Sequence, residues 1–258
     1  MNEIECVIAE TRKQLDDALH VRWQVFGEEM GLFAGPTPPA PRESDCFDTL
    51  DTTIHVVAYA GGEPVATARL LLPNAKVARD GGKRFGIDLE WKFDLGGLDR
   101  PGVALAETTR FCVLRAFRRS CAVAALHGAM WSESRRLGIT HWVASANTET
   151  DCMEDARIIH RVAGRMGLVS PYFLVEPRIN APPPAEPRAP FYDLEERRRA
   201  REGDLTGLRL PRTLAVFACR MGARFTGEPI YDPRFRMCSM PLIDALEPAE
   251  ELSVRRAA

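Results

Sequence analysis

Apolar residues recur along this chain in two rhythms, and the switches between them lay out the elements. Leu15, Leu19, Trp23, Phe26 and Met30 fall at three- and four-residue steps, which predicts an amphipathic helix over residues 11–30 that Gly31 ends. Arg22 sits among those apolar positions. Residues 34–41 carry four prolines in eight positions, so they can neither continue a helix nor pair as a central strand, and they read as an exposed loop. An acidic turn, 43–51, comes next. Residues 53–60 and 63–72 read as two strands, joined at Gly61-Gly62, a dipeptide that supplies the positive φ angles of a tight hairpin. Residues 73–102, rich in Gly and charge, read as a loop with one short helix. A strand over 103–114, a helix over 121–137 closed by Gly138, and a strand over 139–146 follow. Then come a helix over 154–166 closed by Gly167 and a short strand over 172–175.

Beyond that point the pattern changes character. Residues 176–203 hold one proline-rich and one charge-rich run, APPPAEPRAP and EERRRARE, and read as an exposed insertion or linker. A helix over 214–221, capped by Gly222, and a last strand over 237–243 complete the series. The expected layout is a core over 1–176, an insertion over 177–204, a helix and strand over 205–246 that complete the core, and a tail over 247–258. The order of elements predicts an α/β (α+β) fold, with helices flanking one mixed central sheet.

Composition narrows the chemistry. The chain has 258 residues, 45% hydrophobic and 27% charged, enough to bury one sizeable core. A formal net charge of −2 argues against nucleic-acid binding over the whole domain and leaves electrostatic recognition to local patches. The first residues lack a basic segment followed by an apolar one, and no run of about 18 apolar residues occurs. The expectation is a cytoplasmic protein with no transmembrane segment. Seven cysteines lie singly and five histidines fall at no metal-ligand spacing, so no metal site is expected. Cys112 reads as a small buried hydrophobe rather than a nucleophile.

Six charged residues stand where local structure gives them no reason to be. Arg22 lies on an apolar helix face, Asp45 and Asp48 in the acidic turn, Arg69 inside a hydrophobic strand, and Glu107 and Arg110 within the strand over 103–114. An unpaired charge in a sheet costs several kcal/mol, so these residues should pair. One reading is a structural ion-pair network. The other is an acceptor site, in which carboxylates hold an ammonium or take its proton and arginines hold a carboxylate.

The segment VRWQVFGEEMG (21–31), then Glu43-x-Asp45-x-Phe47-Asp48, Ala68-Arg69-Leu70-Leu71 and Glu107-Thr-Thr-Arg110-Phe111-Cys112-Val113 together resemble the autoinducer (acyl-homoserine lactone) synthases in order and local spacing. Where that family has a tryptophan after the glycine, this chain has Leu32 and Phe33. The stretch 210–242 instead resembles the C-terminal part of ornithine-lipid acyltransferases and N-acyl amino acid synthases. The resemblance implies a GNAT acyltransferase fold and an N-acyltransferase. That enzyme would move a fatty acyl group from an acyl carrier protein or CoA thioester to the amine of an amino acid or a derivative of one. Lactone synthesis with S-adenosylmethionine as acceptor, and a non-catalytic acyl-ligand or protein-binding module, stand as alternatives. No bound cofactor is implied.

On this resemblance Glu107 takes a proton from the acceptor ammonium with Arg110 beside it, and Arg22, Asp45, Asp48 and Arg69 form the charged cluster of the acceptor site. The backbone at Phe111, Cys112 and Val113 binds the thioester carbonyl. A regular strand would put Glu107 and Arg110 on opposite faces, so a bulge between them is expected. The turn into the next helix, where the family binds the donor's phosphates, offers Arg118, Arg119, Ala122 and Ala124, though without the family's glycines; a plain basic helix start is the other reading. Arg115, Arg118 and Arg119, with Arg135 and Arg136, would suit an acidic carrier protein or CoA, or simply form a solvated surface. Trp131, Trp142 and Phe173, with Leu174, would line an acyl pocket or pack a core.

Overall fold

A computed structural model of the chain describes residues 3–33 and 39–246. In chain order the elements are β1 (Ile4–Ile8), α1 (Arg12–Trp23), a π-helical turn (Gln24–Glu29), β2 (Thr53–Ala60), β3 (Glu63–Leu71), α2 (Ala75–Asp80), β4 (Phe93–Asp94) and β5 (Leu105–Val113). There follow α3 (Ala122–Arg136), β6 (His141–Asn147), α4 (Met153–Arg165), β7 (Glu176–Pro177), α5 (Leu194–Arg201), α6 (Arg212–Arg220), β8 (Arg224–Phe225), β9 (Ile230–Asp232) and β10 (Met237–Ala245). The chain divides into two units, 1–88 with 104–140 and 89–103 with 141–258. The fold is mixed α/β, with mostly antiparallel pairing and helices against the sheets.

In the first unit β1, β2, β3 and β5 pair antiparallel in that order. β3 is buried along nearly its whole length and β2 over four consecutive residues, which requires cover on both faces; α1 and α3 both pack on them. Helix α1 starts where a Thr-x-x-Gln capping box forms. Thr11 Oγ1 accepts from the Gln14 amide and the Gln14 side chain accepts from the Thr11 amide, satisfying two donors that a helix start leaves open. Gly61 and Gly62, at φ 61° and 87°, make the β2–β3 turn that the dipeptide predicts. Strand β1 has no counterpart among the predicted elements: it is a partly exposed edge strand of five residues with little alternation in burial. The π-helical turn likewise leaves no mark in the apolar spacing.

The second unit pairs β6, β10 and β8 antiparallel, with β9 also on β10 and β4 paired to β7. Its core gathers Ile158, Ile159 and Val162 of α4 with Leu214 of α6, Phe225 and Met240. Two expectations are corrected here. Residues 172–175 form no strand, because Ser170 Oγ accepts from the amides of Tyr172 and Phe173 and turns the chain. Residues 191–201 are a docked helix and its lead-in rather than an exposed linker. Asp193 and Glu196 form a capping box, Tyr192 is buried, and Arg197 holds the fully buried Asp155 of α4 through bonds of 2.6 and 2.8 Å. The charge run pairs with the acidic start of α4, Arg201 reaching Glu154 at 2.6 Å. The expected tail over 247–258 and the prolines at 36 and 38 lie outside the described residues.

Candidate functional site

The first unit concentrates its buried charge at one place. Arg22 projects from the last turn of α1, Asp45 and Asp48 from the turn after it, Arg69 from β3 and Arg110 from β5; a further carboxylate, Glu43, joins them. Arg22 pairs with Glu43 and forks onto Asp48, Nη1 to Oδ1 at 2.6 Å and Nη2 to Oδ2 at 3.1 Å. Arg69 Nη1 is shared between Asp45 Oδ1 and Asp48 Oδ1, each at 2.6 Å. Arg110 Nη2 donates to Asp45 Oδ2 at 2.6 Å and its Nε to Glu43 Oε1 at 3.2 Å. The six residues thus close a ring of alternating sign: Arg22, Glu43, Arg110, Asp45, Arg69, Asp48 and back to Arg22. Asp88 stands 3.6 Å from Arg110 Nη1.

Burial within the ring is graded. The side chains of Arg22, Arg69 and Asp48 are no more than 1% exposed, whereas Asp45 reaches 17%. The turn that presents the aspartates is shaped by them: Asp48 accepts from the Asp45 amide at 2.7 Å and Asp45 from the Phe47 amide at 2.9 Å. Burial opposes the ionisation of Asp45, but the hydrogen bond and charge of Arg69, with the charge of Arg110, outweigh it and hold the carboxyl at about 2. Asp48 is held below its usual range in the same manner, Arg22 and Arg69 overcoming burial. Each arginine is engaged by at least two protein carboxylates, as a structural network demands.

Strand β5 carries the expected bulge. Thr67 faces Cys112 and Arg69 faces Thr109, so Arg110 and Phe111 together oppose the single residue Ala68. Arg110 takes φ 54°, a left-handed conformation that costs a non-glycine residue about 1–3 kcal/mol and persists only where its surroundings impose it. Here its bonds to Glu43 and Asp45 impose it. Leu71 faces Glu107 across the ladder, which puts the buried Glu107 on the sheet face of Arg69 and Thr109, and the extra residue swings Arg110 to that same face. Substituting Arg110 tests the balance. Both Arg110→Ala and Arg110→Gly lose the ion pairs, but glycine is free at positive φ. The glycine variant is expected to unfold at a higher denaturant concentration, by about 1–2 kcal/mol. Coincident transitions would show that the backbone is unstrained.

The other expected residues are placed as follows. Phe111 is exposed, whereas Cys112 and Val113 are buried. Cys112 packs against Val21 and Val25 of the first unit's core, and burial pushes its thiol up to about 12, which suits a hydrophobe and not a nucleophile. Arg118 is tied to Glu29 and to the Val113 carbonyl, Arg115 and Arg119 are exposed, and Arg136 pairs with Glu133 within α3. At the start of α3 Ser120 Oγ accepts from the Ala122 amide, and Ala122 is buried while Ala124 is exposed. Trp131 lies under the Arg135 guanidinium at 5.4 Å. In the second unit Trp142 is core and Phe173 stands between His141 and Arg100, ring contacts of 5.5 and 5.4 Å. Among the described residues no cluster of His, Cys, Asp and Glu suits a metal ion, and no helix is long and apolar enough to cross a membrane.

The residue missed by sequence reasoning is Glu43. It opens the acidic turn, and two aspartates against three arginines were the available signal, since Asp45 and Asp48 link the arginines into an open chain and a third carboxylate is needed to close it.

Residues 21–128 match the family described as the acetyltransferase (GNAT) domain. Among solved structures the chain is similar to an acyl-CoA N-acyltransferase from Pseudomonas aeruginosa (14% identity, 95% of this chain and 100% of that one, TM-score 0.47). It is also similar to TofI in a ternary complex with an inhibitor and MTA (14% identity, 94% and 92%, TM-score 0.48). A third similarity is to FeeM, an N-acyl amino acid synthase from uncultured soil microbes (15% identity, 57% and 73%, TM-score 0.40).

Proposed function

We propose that this chain, whose residues 21–128 match the acetyltransferase (GNAT) domain family, is an acyltransferase that moves an acyl group from the thioester of CoA or an acyl carrier protein to the amine of an amino acid or an amino-acid-derived acceptor. The observation that carries the proposal is the bulge at Arg110 and Phe111, which turns Arg110 onto the face of Glu107 above a closed ring of charge. Aminolysis of a thioester needs a neutral amine, a donor for the developing oxyanion and correct orientation, because the thiolate leaves readily. Glu107 takes the proton that the acceptor ammonium must lose, directly or through water. Backbone amides at Phe111, Cys112 and Val113 serve the thioester oxygen, a bulge being where a strand amide escapes its ladder partner. The ring supplies the third requirement. Held by six mutual pairings, it fixes Asp45, its outermost aspartate, and Glu43 where they meet a cationic amine without reorganising.

The donor side rests on the start of α3, where Arg119 is exposed beside the helix N-terminus. The test is a thiol-release assay with acyl-CoA and acylated carrier protein as donors and a panel of amino acids and S-adenosylmethionine as acceptors, each product identified by mass spectrometry. An N-acyl amino acid is the expected product. Thiol release that no amine accelerates with either donor would overturn the proposal, and an acyl lactone formed only with S-adenosylmethionine would replace its acceptor.

A further inference from the structure

His55 lies on β2 directly opposite Arg69 on β3, so the two side chains leave the sheet on one face, their Cβ atoms about 5 Å apart. Both are buried, Arg69 wholly and His55 to within 5%. The imidazole Nε2 is 3.0 Å from the backbone oxygen of Asp48. A carbonyl has no proton to give, so Nε2 must carry one and donate. Burial disfavours the second proton and keeps the ring neutral. Nδ1 is then a bare lone pair, and it is buried without a hydrogen-bond partner in the protein. Arg69 has the converse deficit. Its Nη1 is spent on Asp45 and Asp48, while its Nε and Nη2 are buried donors without a protein acceptor. Across one pair of strands, then, a buried acceptor lacking a donor faces buried donors lacking an acceptor. Each such group left unmet costs about 1–3 kcal/mol.

We propose that His55 is a positioning residue: a buried water accepts from Arg69 Nε or Nη2 and donates to His55 Nδ1, locking the guanidinium so that Nη1 stays shared between Asp45 and Asp48. A water in this place has the two or more polar partners that an internal water needs. The Phe47 ring lies over the guanidinium, its centroid 5.9 Å from Arg69 Cζ, and offers no lone pair. The imidazole therefore ties the turn to β3 from two sides, through Asp48 O by Nε2 and through Arg69 by Nδ1. The consequence for acyl transfer rests on the reading that Asp45 and Glu43 meet the amine, but the hydrogen bond itself does not.

Two substitutions separate the two nitrogens, since an asparagine side chain reaches as far as Nδ1 and a glutamine as far as Nε2. His55→Asn keeps an acceptor for the bridge and gives up the bond to Asp48 O; His55→Gln keeps that bond and gives up the bridge. In nitrogen-15-labelled protein the long-range proton–nitrogen spectrum of His55 is expected to show the neutral Nε2–H tautomer with a hydrogen-bonded Nδ1. The Arg69 Nε–H should exchange with solvent about five- to tenfold faster in His55→Gln than in the wild type or His55→Asn, the worth of one hydrogen bond. An Nδ1–H tautomer in the wild-type protein, which requires no variant to fold, overturns the proposal, as does an Arg69 exchange rate indifferent to His55→Gln. In the acyl-transfer assay His55→Gln should raise KM for the amine and leave KM for the thioester unchanged. If no amine is used at all, the proposed function fails, and the spectra still decide the role of His55.

Discussion

Asp48→Ala is expected to destabilise the first unit by about 3–5 kcal/mol, the cost of removing one partner from a buried ion pair. Asp48 closes the ring between Arg22 and Arg69, and its side chain and both arginines' are at most 1% exposed. Without it Arg22 keeps only Glu43 and Arg69 keeps only Asp45, so two buried guanidinium groups lose compensation at once. The same geometry sets an acid dependence. Asp45 titrates at about 2 and Asp48 below its usual range, against about 3.9 for an unfolded aspartate. A carboxyl whose folded value is depressed contributes stability above the unfolded value and loses it as pH falls through the folded one. Stability should therefore decline between about pH 4 and pH 2, and Asp48→Asn, which keeps the shape and removes a titrating group, should flatten that decline. Urea unfolding of both variants from pH 7 to pH 2, followed by a probe within residues 3–88, is the measurement. A midpoint for Asp48→Ala within about 0.5 kcal/mol of the wild type, the range of an ordinary surface substitution, would show that the ring does not support the fold.

The ring is also where the sequence was most informative. Arg69 stands out because a guanidinium in an apolar strand is untenable alone, and Arg22 because it interrupts an apolar helix face; each announces a partner that the chain must supply. Glu107 and Arg110 announce the bulge, since a spacing of three is incompatible with a shared face unless a residue is added. What stayed hidden depended on partners distant in the chain or on irregular backbone. Glu43 looked like one more charge in an acidic turn until Arg110, 67 positions away, closed on it. His55 sits in a strand pattern that tolerates it on either face, and only its register with Arg69 shows which group it serves. The run around Arg197 read as solvated because its glutamates and arginines can pair among themselves, as Arg198 does with Glu195 and Glu202; only the fold shows that Arg197 serves Asp155, 42 positions earlier.

Glu107→Gln is expected to lower the rate of thiol release by about 10²–10⁴-fold, the usual contribution of a positioned general base, with a smaller effect on stability than Asp48→Ala. Glu107 faces Leu71 across the β3–β5 ladder, on the side of Arg69 and Thr109, and is buried, so its carboxylate is shielded from bulk solvent. An amine acceptor arrives as an ammonium at neutral pH and has no lone pair for the thioester until a proton leaves. Glutamine matches the shape of the carboxylate and can still orient the acceptor, but it cannot receive that proton. The variant should therefore lose kcat more than affinity, and the acid limb of its pH–rate profile, which reports ionisation of the base, should disappear. Raising the pH supplies neutral amine from solution and should recover part of the rate in the variant but little in the wild type. A variant that keeps the wild-type pH–rate profile would remove Glu107 from proton transfer and leave deprotonation to solvent, with the ring and the bulge acting by orientation alone.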